Sequence, residues 1–412
     1  MTATPPDAHS SPTLPSPSTH AGRWRLDPRV VFLNHGSYGA ATARVLGVQH
    51  AWRDRMDAEP VRFFTKELPK GLAYARRSLA EFLGCDTDGL VFQPNATIGV
   101  ATALASVDLG EGDEVVVNRH EYASCLNEIE RESRRRGFAV RVAEIPFPIR
   151  SSDEAYEAVM AAVSGRTRLV LLSWVTSATA LVLPVERLVA ELRRRGVISL
   201  VDAAHAPGQV EMNIAALGAD YVTGNLHKWV CAPKGSGFLW IAPEHRERVE
   251  PLALSSRAAW VPEGGNRLHH VFDYVGTNDY TPWLAIPEAL NELGSMLPGG
   301  WGELRERNRS MCLEARDIVC GAIGAEPPAP DDMIAHIASI TLPPLKGEPP
   351  PDWGDPLWLE LQERHAIQVP VWTSSALGVR ALRLSAQLYN TPEQFEYLAR
   401  VLPGALAASS RR

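Results

Sequence analysis

The chain has 412 residues, 45% of them hydrophobic and 22% charged, the balance of an ordinary globular protein with material for a sizeable core and two domains. Its 41 basic and 48 acidic side chains give a formal net charge of -7, the wrong sign for neutralising a phosphate backbone, so nucleic acid is not an expected partner. Cysteines at 85, 125, 231, 312 and 320 form no CxxC pair, which writes neither a disulfide framework nor a zinc site and fits a reducing cytoplasm.

Residues 1–22 (MTATPPDAHSSPTLPSPSTHAG) are rich in Pro, Ser and Thr and lack a signal-peptide core, so a disordered tail is expected there. No run of 18 apolar residues occurs, and no membrane span or membrane partner is expected. From about residue 68, amphipathic stretches alternate with short apolar ones, the pattern of a mainly parallel sheet covered by helices. Strands are predicted at Asp113 to Val117, Arg168 to Leu172, Val197 to Asp202, Asp220 to Thr223 and Gly237 to Ile241. Helices are predicted at Pro184 to Arg195 and ahead of Gly137, each closing on an arginine triplet as the helix dipole favours. After about residue 295 the order changes to a long helix (Glu303 to about Ile323), strands near Ile337 to Leu342, Ile367 to Trp372 and Arg380 to Ser385, and a closing helix. Pro343 to Pro356 is too proline-rich for regular structure and reads as a surface connection. The resulting division is a large α/β domain over 45–294 and a small α+β domain from 23–44 and 295–412.

Lys228 follows a short strand in Thr223-Gly224-Asn225-Leu226-His227-Lys228-Trp229. Alone it is as readily a solvated loop lysine. About 25 residues earlier, the apolar strand Val201-Asp202 ends in an acid with no salt partner nearby in sequence. A pyridine nitrogen held protonated by a carboxylate is one reason for such an acid, and capping of the following segment is another. Gln93-Pro94-Asn95-Ala96-Thr97 opens an alanine-rich helical run, either as a phosphate nest or with Asn95 as a plain N-cap. The adjacent His269 and His270 do not face one site in a regular element and are expected in a loop, with no metal centre.

The blocks FLNHGSYG (32–39), NATIGV (95–100), VDAAHAPG (201–208), GNLHKW (224–229), GTND (276–279) and LRLSAQLYN (382–390) resemble the fold-type I pyridoxal 5'-phosphate (PLP) enzymes of aminotransferase class V, especially the isopenicillin N epimerase-like branch. The resemblance runs from about Phe32 to the C-terminal helix. It implies the PLP-dependent transferase fold, a homodimer with shared active sites, and a small-molecule amino-acid substrate. It further implies that Lys228 holds PLP as a Schiff base and acts as catalytic base, that Asp202 pairs with the pyridine nitrogen, that His205 lies near the ring hydroxyl and that Tyr122 stacks on the ring. Ala96, Thr97, Asn225 and His227 would hold the phosphate, with Thr277 reaching in from a second subunit. Arg383 would clamp the substrate carboxylate, with Asn34 and His35 beside the substrate.

Cysteine desulfurases of this class carry a nucleophilic cysteine shortly before that arginine, and Ile367 to Arg383 contains none. Ser177 stands in place of an asparagine and Ala180 in place of a common glycine. The implied activity is epimerisation or β-elimination on a modified or S-conjugated amino acid in secondary metabolism. Decarboxylation with oxidation, transamination and a non-catalytic PLP-binding homologue are the alternatives; the last is disfavoured because sensors of this type carry a DNA-binding helix-turn-helix where this chain has a proline-rich tail.

Overall fold

The computed structural model describes residues 13–345 and 354–409. Twelve strands follow one another: β1 (Val31–Phe32), β2 (Leu90–Gln93), β3 (Glu114–Asn118), β4 (Ala139–Ala143), β5 (Thr167–Ser173), β6 (Ile198–Ala203), β7 (Tyr221–Asn225), β8 (Gly237–Ile241), β9 (Ile337–Leu342), β10 (Ile367–Gln368), β11 (Val371–Ser374) and β12 (Val379–Ser385). Seven of them form one sheet in the order β2-β8-β7-β6-β5-β3-β4. From β4 to β7 the neighbours run parallel, and β8 lies antiparallel between β7 and β2. Strands β2, β3, β7 and β8 are buried along their whole length, because helices cover both faces of a mainly parallel sheet and leave no polar side. The edge strand β4, which the sequence reading passed over, alternates weakly and is largely uncovered.

The helix Val185–Arg194 buries Val185, Leu188, Val189 and Leu192 at helical spacing. The triplet ahead of Gly137 works across helices as well as within one. Arg136 donates to the carbonyls of Leu104 (3.1 Å), Val107 and Leu109 (3.2 Å), at and just beyond the C-terminal end of the neighbouring helix Ala96–Ser106. Carbonyls left over at a helix end are thereby satisfied. Arg134 and Arg135 pair with Glu130 and Glu132 of their own helix.

The smaller sheet is antiparallel, in the order β11-β12-β9, backed by the long helix Gly300–Ile323, against which the closing helix Pro392–Ser409 packs in turn. Strand β1 pairs in parallel with β10, Val31 opposite Ile367. The single strand expected over Ile367 to Trp372 is two strands, broken at Val369 and Pro370, since proline has no N–H for the ladder. The connection expected over Pro343 to Pro356 lies partly outside the described residues and ends in a helix, Pro356–His365, capped by Asp355 on the Leu357 N–H at 2.8 Å.

Two further expectations need correction. Residues 13–22 of the expected tail are packed: Leu14 meets the main core, and Ser18 donates its backbone N–H to Tyr389 O at 3.0 Å. His269 and His270 sit in the helix Arg267–Phe272, where they reach the carbonyls of Thr87 (2.8 Å) and Arg257 (2.9 Å). Among the described residues no helix is long and apolar enough to cross a membrane.

Arg380 and Asp355 form a buried two-pronged ion pair at 2.8 and 2.6 Å, each side chain only 3% exposed. It ties β12 to the start of the helix Pro356–His365. Asp355→Ala strands the guanidinium away from water and is expected to cost about 3 kcal/mol of unfolding free energy, read by urea denaturation.

Candidate active site

The C-terminal ends of parallel strands are where an α/β sheet gathers polar groups, because the chain leaves the sheet there and the following helices begin. Register aligns Ser173 on β5 with Asp202 on β6, and Asp202 with Thr223 on β7. Strand β7 runs on through Leu226 and His227 to Lys228. The loop is fixed by its own backbone: Leu226 N–H donates to Ser236 O at 3.0 Å, Ala232 N–H to Leu226 O at 3.1 Å and Cys231 N–H to Lys228 O at 3.1 Å. A turn from the N-terminal segment braces it from the other side. At Gly39 (φ 64°) a Cβ would lie 1.9 Å from His227 O, so only glycine allows this approach.

Lys228 is enclosed, its Nζ 2.9 Å from His205 Nε2. Burial, with the Arg383 guanidinium nearby, brings its pKa down to about 7. His205 is buried too, and burial beside Lys228 holds its pKa well below the usual imidazole range. The Trp229 indole N–H faces His205 Nδ1 at 3.4 Å. In that tautomer Nε2 carries the proton and donates to the neutral amine.

The Asp202 carboxylate, 3% exposed, accepts from Ala204 N–H at 2.8 Å and from the Cys125 thiol at 3.5 Å. Burial pushes its pKa upward, against the pull of the Ala204 hydrogen bond and Lys228. Among the described residues no cation is bonded to it. Beside it lies an acid the sequence reading passed over. Glu121, in the polar string Asn118-Arg119-His120-Glu121-Tyr122, is buried and accepts from Asn118 Nδ2, the Ser173 hydroxyl and, at 3.0 Å, Ser173 N–H. Burial raises its pKa to about 8. Its neighbour His120 is enclosed as well, against Thr179 Oγ1 (2.8 Å) and Ile145 O (3.0 Å).

Asn95 caps the helix Ala96–Ser106, accepting from Ile98 N–H at 3.0 Å, and Asn225 Oδ1 accepts from Ala96 N–H at 2.9 Å. Ala96, Thr97 and Asn225 are thus gathered at one helix N-terminus. His227, next to Lys228, has a buried Nδ1 with no hydrogen-bond partner, and burial lowers its pKa to about 4. Thr277 stands apart. It is exposed, and its hydroxyl lies 2.9 Å from Tyr274 OH.

Arg383 is 6% exposed. Its Nη1 donates to Ser177 O at 2.5 Å and its Nη2 to Ser37 Oγ at 2.9 Å, while Nε has no partner. Among the described residues no carboxylate pairs with it, and burial lowers its pKa to about 10. Ser37 in turn donates to Asn34 Oδ1 at 2.6 Å. Tyr122, 46% exposed, and Tyr38, 61% exposed, lie close enough to act on the guanidinium charge. Ala180 is buried at φ 62°, the left-handed conformation that glycine adopts freely, which accounts for the glycine common in that loop of the family.

His35, expected beside the substrate, has both ring nitrogens engaged inside the protein. Its Nε2–H donates to Lys228 O and its Nδ1 accepts from Tyr389 O–H, both at 2.9 Å. With no nitrogen left over, it positions the lysine loop.

These residues fit PLP. A buried carboxylate without a cation suits the pyridinium nitrogen, a helix N-terminus with an unpartnered imidazole nitrogen suits the phosphate, and a neutral buried amine suits the carbonyl carbon. The purified protein is expected to be yellow. Lys228→Ala should lose the borohydride-reducible cofactor adduct, and an adduct retained on another residue would assign the attachment elsewhere.

The family model described as Aminotransferase class-V matches residues 55–269. The chain is 37% identical over 394 residues to the isopenicillin N epimerase of Amycolatopsis lactamdurans, covering 92% of this chain and 95% of that one. It is 29% identical over 401 residues to the probable chloroplastic L-cysteine desulfhydrase of Arabidopsis thaliana, covering 92% and 83%. A solved structure of a mutant of the cystine C-S lyase C-DES, with glycine covalently linked to the PLP cofactor, superimposes with a TM-score of 0.74 at 21% identity over 90% of this chain and 96% of that one. The chain belongs to the aminotransferase class V family of PLP-dependent enzymes.

Proposed function

We propose that the protein binds an amino acid through its α-carboxylate on Arg383, removes the α-proton with Lys228 and returns a proton from the opposite side, so that the product is the epimer. The observation that carries this reading is the pair formed by a buried amine whose pKa is lowered to about 7 and a buried guanidinium that, among the described residues, has no carboxylate of its own. Bound PLP supplies the electron sink for the pair left at Cα. The remaining work falls to side chains.

Arg383 presents a planar fork that fits a carboxylate at two points, which fixes the position of Cα. Lys228 Nζ accepts the proton, and its lowered pKa makes it a base near neutral pH. His205 holds that amine in place. Asp202 would hold the negative charge that pairs with the ring nitrogen, and Tyr122 would help hold the ring. Protons return from the mouth of the site, where Tyr38 and Tyr122 are exposed. Thr277 completes the phosphate site from a second copy of the chain, which makes the functional unit a homodimer.

Persulfide chemistry is disfavoured by the thiols themselves. Cys125 faces Asp202 and Cys231 lies 3.7 Å from His35 Nε2, Cys312 and Cys320 lie in the helix Gly300–Ile323, and burial raises Cys85 and Cys231 to about 12. A thiol held protonated is a poor nucleophile. The relative described as a cysteine desulfhydrase favours a second reading, β-elimination from an S-substituted cysteine after the same proton abstraction.

Amino acids and cysteine conjugates incubated in deuterated water separate these outcomes. Epimerisation gives deuterium at an inverted Cα, elimination gives pyruvate and thiol, and loss of carbon dioxide or a keto product marks the remaining alternatives. Absence of Cα exchange with every substrate would remove the base role of Lys228. The exchange rate should rise with pH and level off above about 7, because the amine is protonated and inactive below its folded pKa. Arg383→Ala should weaken carboxylate-bearing substrates roughly a hundredfold and their decarboxylated analogues little, the expected size for a charge-assisted pair.

A further inference from the structure

The small sheet turns one face toward the lysine, and register identifies every residue on it. On β12 this face carries Ser385, Arg383 and Ala381, since alternate residues share a side. Across the antiparallel ladders Ser385 stands opposite Ile337, Arg383 opposite Ser339, and Ala381 opposite both Thr341 on β9 and Trp372 on β11. Contacts confirm the assignment. Ser385 Oγ accepts from Gly36 N–H at 3.1 Å, Ser339 Oγ donates to Ala178 O at 2.5 Å, and Ile337 packs in one cluster with Trp229. The opposite face carries Leu382 and Leu384, which belong to the core, and Arg380 with its ion pair to Asp355.

On the active-site face three donors have no partner: Arg383 Nε, Thr341 Oγ1 and Trp372 Nε1, all shut off from water. Native proteins rarely leave such groups unmatched, and an indole N–H buried without an acceptor is unusual outside a binding site. The residue between Thr341 and Trp372 is Ala381, whose side chain is a single methyl without a polar atom to offer either donor. From Arg383 to this row is one step of two residues, roughly 7 Å along the strand.

We infer that Thr341 and Trp372 form a second anchoring point for the substrate, taking a hydrogen-bond acceptor at the far end of its side chain while Arg383 holds the α-carboxylate. This rests on the carboxylate role of Arg383 proposed above and narrows the substrate class to amino acids with a distal carbonyl, amide or carboxylate. An acceptor three or four carbons beyond Cα spans the distance. Apolar side chains of the same length leave both donors unmatched, so the row selects by polarity as well as size.

The test uses the PLP-loaded enzyme with L-glutamine and L-citrulline as acceptor-bearing probes and L-norvaline and L-norleucine as apolar ones. The change in cofactor absorbance on titration gives each dissociation constant. Trp372→Phe keeps the ring and removes the N–H; Thr341→Val keeps the shape and removes the hydroxyl. Each is expected to weaken the acceptor-bearing probes about fivefold, the worth of one neutral hydrogen bond, and to leave the apolar probes unchanged. Equal weakening of both classes, or of neither, overturns the anchoring role. Cofactor absorbance and melting temperature of the variants identify a folding defect, in which case Trp372→His, which returns a ring N–H, must restore the discrimination for the inference to stand. If the unaltered enzyme responds to no amino acid, the carboxylate reading itself falls; if it responds without the variants changing selectivity, only the second anchor does.

Discussion

Desolvation of one amine organises the site. Water would hold Lys228 as an ammonium with a pKa near 10.4; enclosure beside a second cation brings it to about 7. That state requires several arrangements at once. Among the described residues no acid bonds the amine directly, which a salt partner would hold protonated. Its hydrogen bond to His205 comes from a histidine whose pKa burial holds well below the usual range. Asp202 stands near enough to be felt and too far to bond. The guanidinium of Arg383 is enclosed, among the described residues, without a counter-ion. Each group is unfavourable alone, and on the function proposed above they would be matched by a cationic ring nitrogen, a carbonyl and a carboxylate.

The large sheet provides the rigidity these charges need. Parallel strands ending side by side place Ser173, Asp202 and Thr223 in one row, and the helix Ala96–Ser106 that leaves from that edge starts with Asn95 as a polar cap. The small sheet adds the guanidinium from the other side. Lys228 and Arg383 therefore come from two separately built frames, and the residues joining those frames set the distance between them.

The central strands were legible because full burial makes their sequences continuous apolar runs; β6, β7 and β8 fell within a residue or two of their predicted limits. Lys228 and Asp202 stood out as neighbouring strand-end residues, each with a plainer alternative of its own, while the role expected of Arg383 followed only from the family resemblance. Other residues could not be read this way. Glu121 lies in a string of polar residues that looks like a surface loop, and only the return of β5 beside it encloses the carboxyl. His35 has a substrate-like appearance until Tyr389, 354 residues away, takes its second nitrogen. The packing of residues 13–22 and the break at Pro370 depend in the same way on partners far along the chain.

The short turn from Asn34 to Gly39 touches both frames at once. Ser37 holds Arg383 of the small sheet, Gly36 holds Ser385, His35 holds the carbonyl of Lys228, and Gly39 lies against His227. Six consecutive residues thus act as a pin through two plates. Ser37 occupies one prong of the Arg383 guanidinium, and His35 bonds the backbone that carries Lys228. The guanidinium of one frame and the lysine of the other are thus tied mechanically through a segment that belongs to neither strand array.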